Sequence, residues 1–199
     1  VKDSRDEQTR SEEYVAKAKA LDRDGLKELW AAIKAETTPG WPDGKALEYM
    51  VLRAFEEEGA LIEWPYDVRW PYRQNENSKG TVKVEQIDGA VYVEHIACII
   101  ECKDSGEVDH EPIYKLRSQL IRRPASTIGA IFTSGEYREV ARLLSTFMFP
   151  QTVLLWTAEE IEACLERRNF CKALKLKYRK ALSHGATDHN VSKLDAPKE

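Results

Sequence analysis

The sharpest hydrophobic pattern in the chain lies between Val84 and Lys103. There the β-branched apolar run Ile96-Ala-Cys-Ile-Ile100 stops abruptly at Glu101, Cys102 and Lys103. The pattern predicts two strands joined by a tight turn at His95, the first over roughly 84–93 and carrying Asp88, the second over 96–103. Side chains alternate faces along a strand, so Glu101 and Lys103 point the same way. Two charges on one face of a buried-type strand are costly unless something pairs with them. An antiparallel neighbour carrying Asp88 sets a second carboxylate beside Glu101.

The remaining elements follow from the same reading. Residues 1–12 are charged and expected to be disordered. Helical spacing begins at Ser11, with Tyr14, Ala18 and Leu21 on one stripe, and continues after Asp24-Gly25 with Leu26, Leu29, Trp30 and Ile33. The stretch 37–44, with two prolines and two glycines, is a connector. A helix over 45–58 carries Leu47, Met50, Val51, Ala54 and Phe55 inward, sets Glu48 at the edge of that face, and ends at Gly59. A strand over 61–69 is broken by Pro65. The repeated triplets Trp64-Pro-Tyr66 and Trp70-Pro-Tyr72 point to a hairpin wing whose aromatics either pack together or stack on bases.

Downstream, a polar loop (104–111) leads into a helix over 112–123 with Ile113, Leu116, Leu120 and Ile121 inside and Lys115, Arg117, Arg122 and Arg123 at or near the outer side. A strand over 127–133, a helix over 136–147, a strand over 152–156 and a helix begun by Thr157 complete the pattern. A basic stretch, 167–180, reads either as a solvated terminal helix or as a nucleic-acid contact. The final residues are expected to be disordered. The order is that of a mixed α/β sheet flanked by helices. It divides into a helical arm and linker (1–43), a core (44–168), and a basic helix with its tail (169–199).

Composition narrows the function classes. The 199 residues carry a net charge of −4, which argues against a protein that coats nucleic acid generally but leaves room for a local basic surface. No apolar run approaches the ~20 residues of a membrane span. Cys98, Cys102, Cys164 and Cys171 show no zinc-like spacing. Cys98 and Cys102, four apart on one strand, are about 13 Å from each other, too far to bridge. Reduced thiols fit a cytoplasmic protein. The dispersed histidines His95, His110, His184 and His189 offer no Ser-His-Asp or Cys-His order, and no Walker or dinucleotide fingerprint is present.

Hydrolysis of a phosphodiester needs an activated water, neutralisation of the phosphoryl oxygens and help for the leaving oxygen, which a divalent cation on hard oxygen ligands can supply. Asp88 and Glu101 are suitable ligands. The carbonyl of Cys102 is a third, and Glu48 can reach the ion or an ordered water if its helix packs behind the strand pair. Lys103 can orient the water or stabilise the charged transition state.

Asp88, then Glu101-Cys-Lys103 across a strand pair, with a preceding helix that bears Glu48, resembles the PD-(D/E)XK nuclease superfamily. The match runs from about Gly44 to Trp156. Within it, Thr127-Ile-Gly-Ala-Ile-Phe-Thr-Ser-Gly-Glu-Tyr-Arg-Glu-Val-Ala141 resembles the strand, turn and helix of Mrr-like restriction enzymes. The resemblance implies a restriction-endonuclease-like αβββαβ core and Mg²⁺ (or Mn²⁺) as cofactor. It also implies DNA as substrate in restriction or defence, and catalytic roles for Asp88, Glu101, Lys103 and Glu48. Ile87 stands where the family name has Pro, a position without chemistry. Lys115, Arg117, Arg122 and Arg123 are then candidate phosphate contacts, and cutting both strands calls for a homodimer or a partner subunit.

Two other readings of these residues stand beside it. In one, the fold is kept as a non-catalytic nucleic-acid- or protein-binding module. In the other, Glu101 and Lys103 form a structural ion pair while Asp88-Gly89 makes a turn.

Overall fold

The computed structural model of the chain describes residues 2–75 and 78–194. It opens with helices α1 (Lys2–Lys19), α2 (Arg23–Lys34) and α3 (Lys45–Glu57). Strands β1 (Leu61–Glu63), β2 (Tyr66–Asn75), β3 (Ser78–Ile87), β4 (Gly89–Val93), β5 (Ile96–Lys103) and β6 (Glu107–Val108) follow. Then come α4 (Glu111–Leu120), β7 (Ile128–Thr133), β8 (Glu136–Tyr137), α5 (Glu139–Thr146), β9 (Val153–Trp156), α6 (Ala158–Arg167) and α7 (Phe170–His184).

Five strands form the central sheet in the order β1-β4-β5-β7-β9. The β1–β4 and β4–β5 pairs are antiparallel, whereas β5, β7 and β9 run parallel. This mixed sheet explains the unbroken apolar run of β5, which is buried on both faces. Cys98, Ile100 and Cys102 of β5 face a core shared with Leu47, Val51 and Phe55 of α3 and with residues of α2, α6 and α7. Ile99 faces the other core, under Ile113 and Leu116 of α4 and Ala141 of α5. Alternation along β5 therefore puts Glu101 on the α4 side of the sheet. No helix among the described residues is long and apolar enough to cross a membrane.

Ile121, expected on the inner stripe of its helix, lies at the cap after α4 and is exposed, and the structure departs from the sequence reading in five larger places. The first concerns the charged N-terminus, expected to be disordered, which is helical from Lys2. The expected strand 84–93 is two strands, because the chain breaks at Asp88 and β3 turns away to pair with β2 in a separate hairpin. Of the wing aromatics, Trp64 instead stacks on Tyr49 of α3 at 5.6 Å, and Trp70 is exposed, while the side chain of Tyr72 lies outside the described residues. Glu136 and Tyr137 pair with Glu107 and Val108, so α5 starts at Glu139.

The fifth departure is α7, which is packed into the core rather than solvated. Phe170, Ala173, Leu174 and Ala181 are buried, and Lys177 is fully enclosed. The Lys177 ammonium donates to Glu160 and to the Leu155 carbonyl, each at 2.6 Å. After α7 the chain is packed as far as Val191 and Ser192. The expectation of a disordered end falls, beyond residue 194, outside the described residues.

Candidate active site

The site forms where β4 and β5 meet the first turn of α3. The β4–β5 register pairs Gly89 with Ile100, so Asp88 lies one step further on, level with Glu101. One oxygen of Asp88 accepts the backbone N–H of Cys102 at 3.0 Å, a side-chain substitute for a strand hydrogen bond. Gly89 makes this break possible: its φ is +150°, and a Cβ there would stand 2.6 Å from Leu52 and 2.9 Å from the Glu63 carbonyl. The Asp-Gly turn and the buried carboxylate, set as alternatives by the sequence, are thus one feature.

Glu101 is wholly buried, and two ammonium groups reach it. Lys103, from the same strand face, stands 2.9 Å from one oxygen. Lys115, from α4, donates to both oxygens at 2.8 and 2.7 Å. Lys103 sits at the end of β5, held against β7 by the Thr133-Ser134-Gly135 turn. Ser134 donates its backbone N–H to the Lys103 carbonyl at 3.3 Å and its hydroxyl to Asp104 at 2.6 Å.

Glu48 enters from the first turn of α3, where Lys45 donates to it at 2.6 Å. Burial, reinforced by the negative charge of Asp88, pushes the Glu48 carboxyl up to about 7 although Lys45 opposes the shift. Asp88 is raised as well, by burial and then by the charge of Glu101. Burial works against the charge of Lys103, but its bond to Glu101 and the negative charges of Glu101 and Asp88 together outweigh that and hold it above the ordinary lysine value. The structure thus brings together three crowded carboxylates, Glu48, Asp88 and Glu101, and three lysines, Lys45, Lys103 and Lys115.

Lys45 and Lys115 were not read as part of this group. Lys45 had a local signal, because i and i+3 share a helix face and Glu48 was already singled out. Lys115 had none, since only the crossover that lays α4 over β5 directs it to Glu101. The other cations of that helix meet acids or the protein interior. Arg122 and Arg123 both hold Glu85 of β3, at 2.6 and 2.9 Å. Arg117 is half-buried, and its Nε is enclosed.

Among the described residues, no three His, Cys, Asp or Glu side chains form a ready-made metal-holding group. The donors near Asp88 nonetheless fit a hard divalent cation in kind. They are carboxylate and carbonyl oxygens, and the repulsion that adds to burial in raising Asp88 and Glu48 is what a dication relieves.

No protein-family profile and no curated protein sequence matches the chain. Among solved structures it is similar to the small subunit of the heterodimeric restriction endonuclease R.BspD6I. That match has a TM-score of 0.50 and 14% identity over 84% of this chain and 94% of that one. A weaker likeness is to protein VC1899 from Vibrio cholerae, with a TM-score of 0.44 and 16% identity over 73% of this chain. Another is to a protein of unknown function, AF1548, with a TM-score of 0.40 and 18% identity over 55% of this chain. The chain spans 56% of the length of AF1548 and 36% of that of VC1899. The likeness to the restriction-endonuclease subunit concerns the fold, a mixed five-stranded sheet between helical layers in the restriction-endonuclease-like arrangement.

Proposed function

We propose that this protein is a metal-dependent endonuclease of the PD-(D/E)XK type, Mrr-like in pattern, that hydrolyses DNA phosphodiester bonds in cytoplasmic restriction or defence. The observation that carries this reading is the fully buried Glu101 between Lys103 and Lys115, with Asp88 level with it on the neighbouring strand. An isolated buried carboxylate is costly. A purely structural fold needs no second and third carboxylate beside it.

Asp88, Glu101 and the Cys102 carbonyl would hold Mg²⁺ or Mn²⁺, with Glu48 reaching it directly or through water. When bound, the cation supplies charge neutralisation on the phosphoryl oxygens and activation of the attacking water. The chain's own groups do the rest. Lys103, half-exposed at the strand end, donates to the water or to a phosphoryl oxygen as charge builds. Lys115 holds both oxygens of Glu101 in place, so they do not reorganise during reaction. Glu48, with its carboxyl near neutrality, can hold or release a proton at its Oε atoms. A second copy or a partner subunit would supply the other active site for a double-strand cut.

One observation favours a second reading. Both oxygens of Glu101 already meet lysines, which is also how a non-catalytic module would neutralise a buried acid. Incubation of plasmid and linear DNA with Mg²⁺, Mn²⁺ or EDTA tests the proposal. Nicking or cutting that requires the metal is the expected result. Intact DNA with both metals favours the module.

A further inference from the structure

Helix α5 turns its small residues inward and its large apolar ones outward. Ala141 and Ser145 are buried, while Val140, Leu143 and Phe147, at i, i+3 and i+7, are each more than half exposed. Apolar residues at that spacing form a stripe suited to burial. Phe149, just beyond the helix, is exposed as well.

The neighbouring α4 adds a second stripe. Gln119, Arg122 and Arg123 turn one flank of α4 toward β3, which packs beside β5. Tyr114, Arg117 and Ile121 repeat the i, i+3, i+7 spacing on the opposite flank, the side on which α5 packs over β9. Tyr114 and Ile121 are exposed too.

Area separates this face from an ordinary surface. Val140, Leu143, Phe147, Phe149 and Ile121 are exposed by 54% to 70%. At roughly 150–200 Å² for each large side chain, they present on the order of 500 Å² of apolar surface. The largest apolar patch of a typical monomer is about 300–600 Å² and is often functional. A standard interface covers about 800 Å² of each partner, and Tyr114 with the polar rim of the two helices supplies the rest.

The charges point to the occupant. Arg117 lies half-buried in this face, its Nε enclosed, and forms no hydrogen bond or ion pair among the described residues. Glu139, exposed in the first turn of α5 beside Val140, has none there either. A half-buried cation without a partner calls for an acid from outside. One face thus holds an unpaired cation and an unpaired acid, which makes it complementary to itself. In a two-fold contact residue i meets j and j meets i, so Arg117 and Glu139 pair twice across one axis.

We propose that the α4–α5 face is the contact between two copies of this chain, with the Val140–Leu143–Phe147 stripes packed on each other and Arg117 of each copy bound to Glu139 of the other. The contact stands on these observations alone. Only its purpose, a second active site for the other DNA strand, rests on the nuclease reading.

Sedimentation velocity of the full chain from about 1 to 100 μM, in EDTA and without DNA, reads the contact apart from cleavage. A dimer is expected in that range. Phe147→Asp should raise its dissociation constant about 100-fold or more while the far-UV spectrum stays native. Leu182→Asp, at an equally exposed apolar position on α7, should leave the mass unchanged. Arg117→Glu and Glu139→Arg should each weaken the dimer about ten-fold by opposing like charges, and the double variant should recover it. A chain that is monomeric throughout overturns the proposal and leaves the face to a different protein. A dimer that Phe147→Asp and Leu182→Asp weaken equally, or not at all, overturns it too, as does a double variant no tighter than either single one. A dimer that Phe147→Asp dissociates but whose wild type cuts no DNA keeps the interface and removes the nuclease reading. A monomer that cuts DNA does the reverse.

Discussion

At the residue scale, the account turns on charges crowded where water is scarce. Glu48 binds its proton near pH 7 in the folded protein and near 4.5 in the ordinary unfolded carboxyl. Between those values the native state holds more protons than the unfolded one, so this group makes stability fall as pH rises from about 4.5 to about 7. Asp88, also raised, acts in the same direction. Thermal melts in EDTA across this range should show the decline, and Glu48→Gln should flatten it. Cleavage should instead increase through about pH 7, as the same groups lose protons and become ligands. How legible these residues were depended on distance along the chain. Glu101 and Lys103 were readable because strand alternation fixes their shared face. Asp88 was readable because a hairpin of this length sets it level with Glu101. Lys115 was hidden, because its partner lies on another element and a lysine on the outer side of α4 carries no local signal.

At the element scale, the decisive feature is the break between β3 and β4. One apolar stretch serves two sheets, and Gly89 is the hinge that lets β3 leave for the hairpin while β4 stays paired with β5. Gly89→Ala would force a Cβ onto Leu52 and a backbone carbonyl in a region of φ that Ala rarely adopts. We expect a loss of roughly 1–3 kcal/mol, seen as a lower melting temperature, together with a fall in activity as Asp88 shifts. An unchanged melt would mean that the hinge is not rigidly required. Periodicity saw β5, β7 and β9 well, since buried parallel strands are short apolar runs. It missed the split at Asp88 because both halves share one strand-like pattern. It also missed β6 and β8, two-residue strands too short to carry a period.

At the scale of the whole molecule, the fold is closed by its C-terminal elements. The basic run of α7 reads as a solvated face in one dimension, and no local signal marks Lys177 as the residue that turns inward. Its pairing with Glu160, which also accepts the N–H groups of Thr157 and Val191, ties α6, α7 and the following segment to β9. Lys177→Met leaves Glu160 buried without its partner and should cost about 3–5 kcal/mol. Denaturant unfolding would read this, and a loss well under 1 kcal/mol would show that the pair is dispensable. The Glu101 cluster should behave differently, since a site selected for chemistry contributes little to stability or opposes it. The most direct test of that claim measures metal-dependent DNA cleavage and melting temperature together for wild type and Lys103→Ala. The account predicts a rate reduced about 100-fold or more, with a melting temperature changed by only a few degrees. An undiminished rate, with melting lowered because Glu101 has lost a counter-ion, would contradict it and make Lys103 a structural residue.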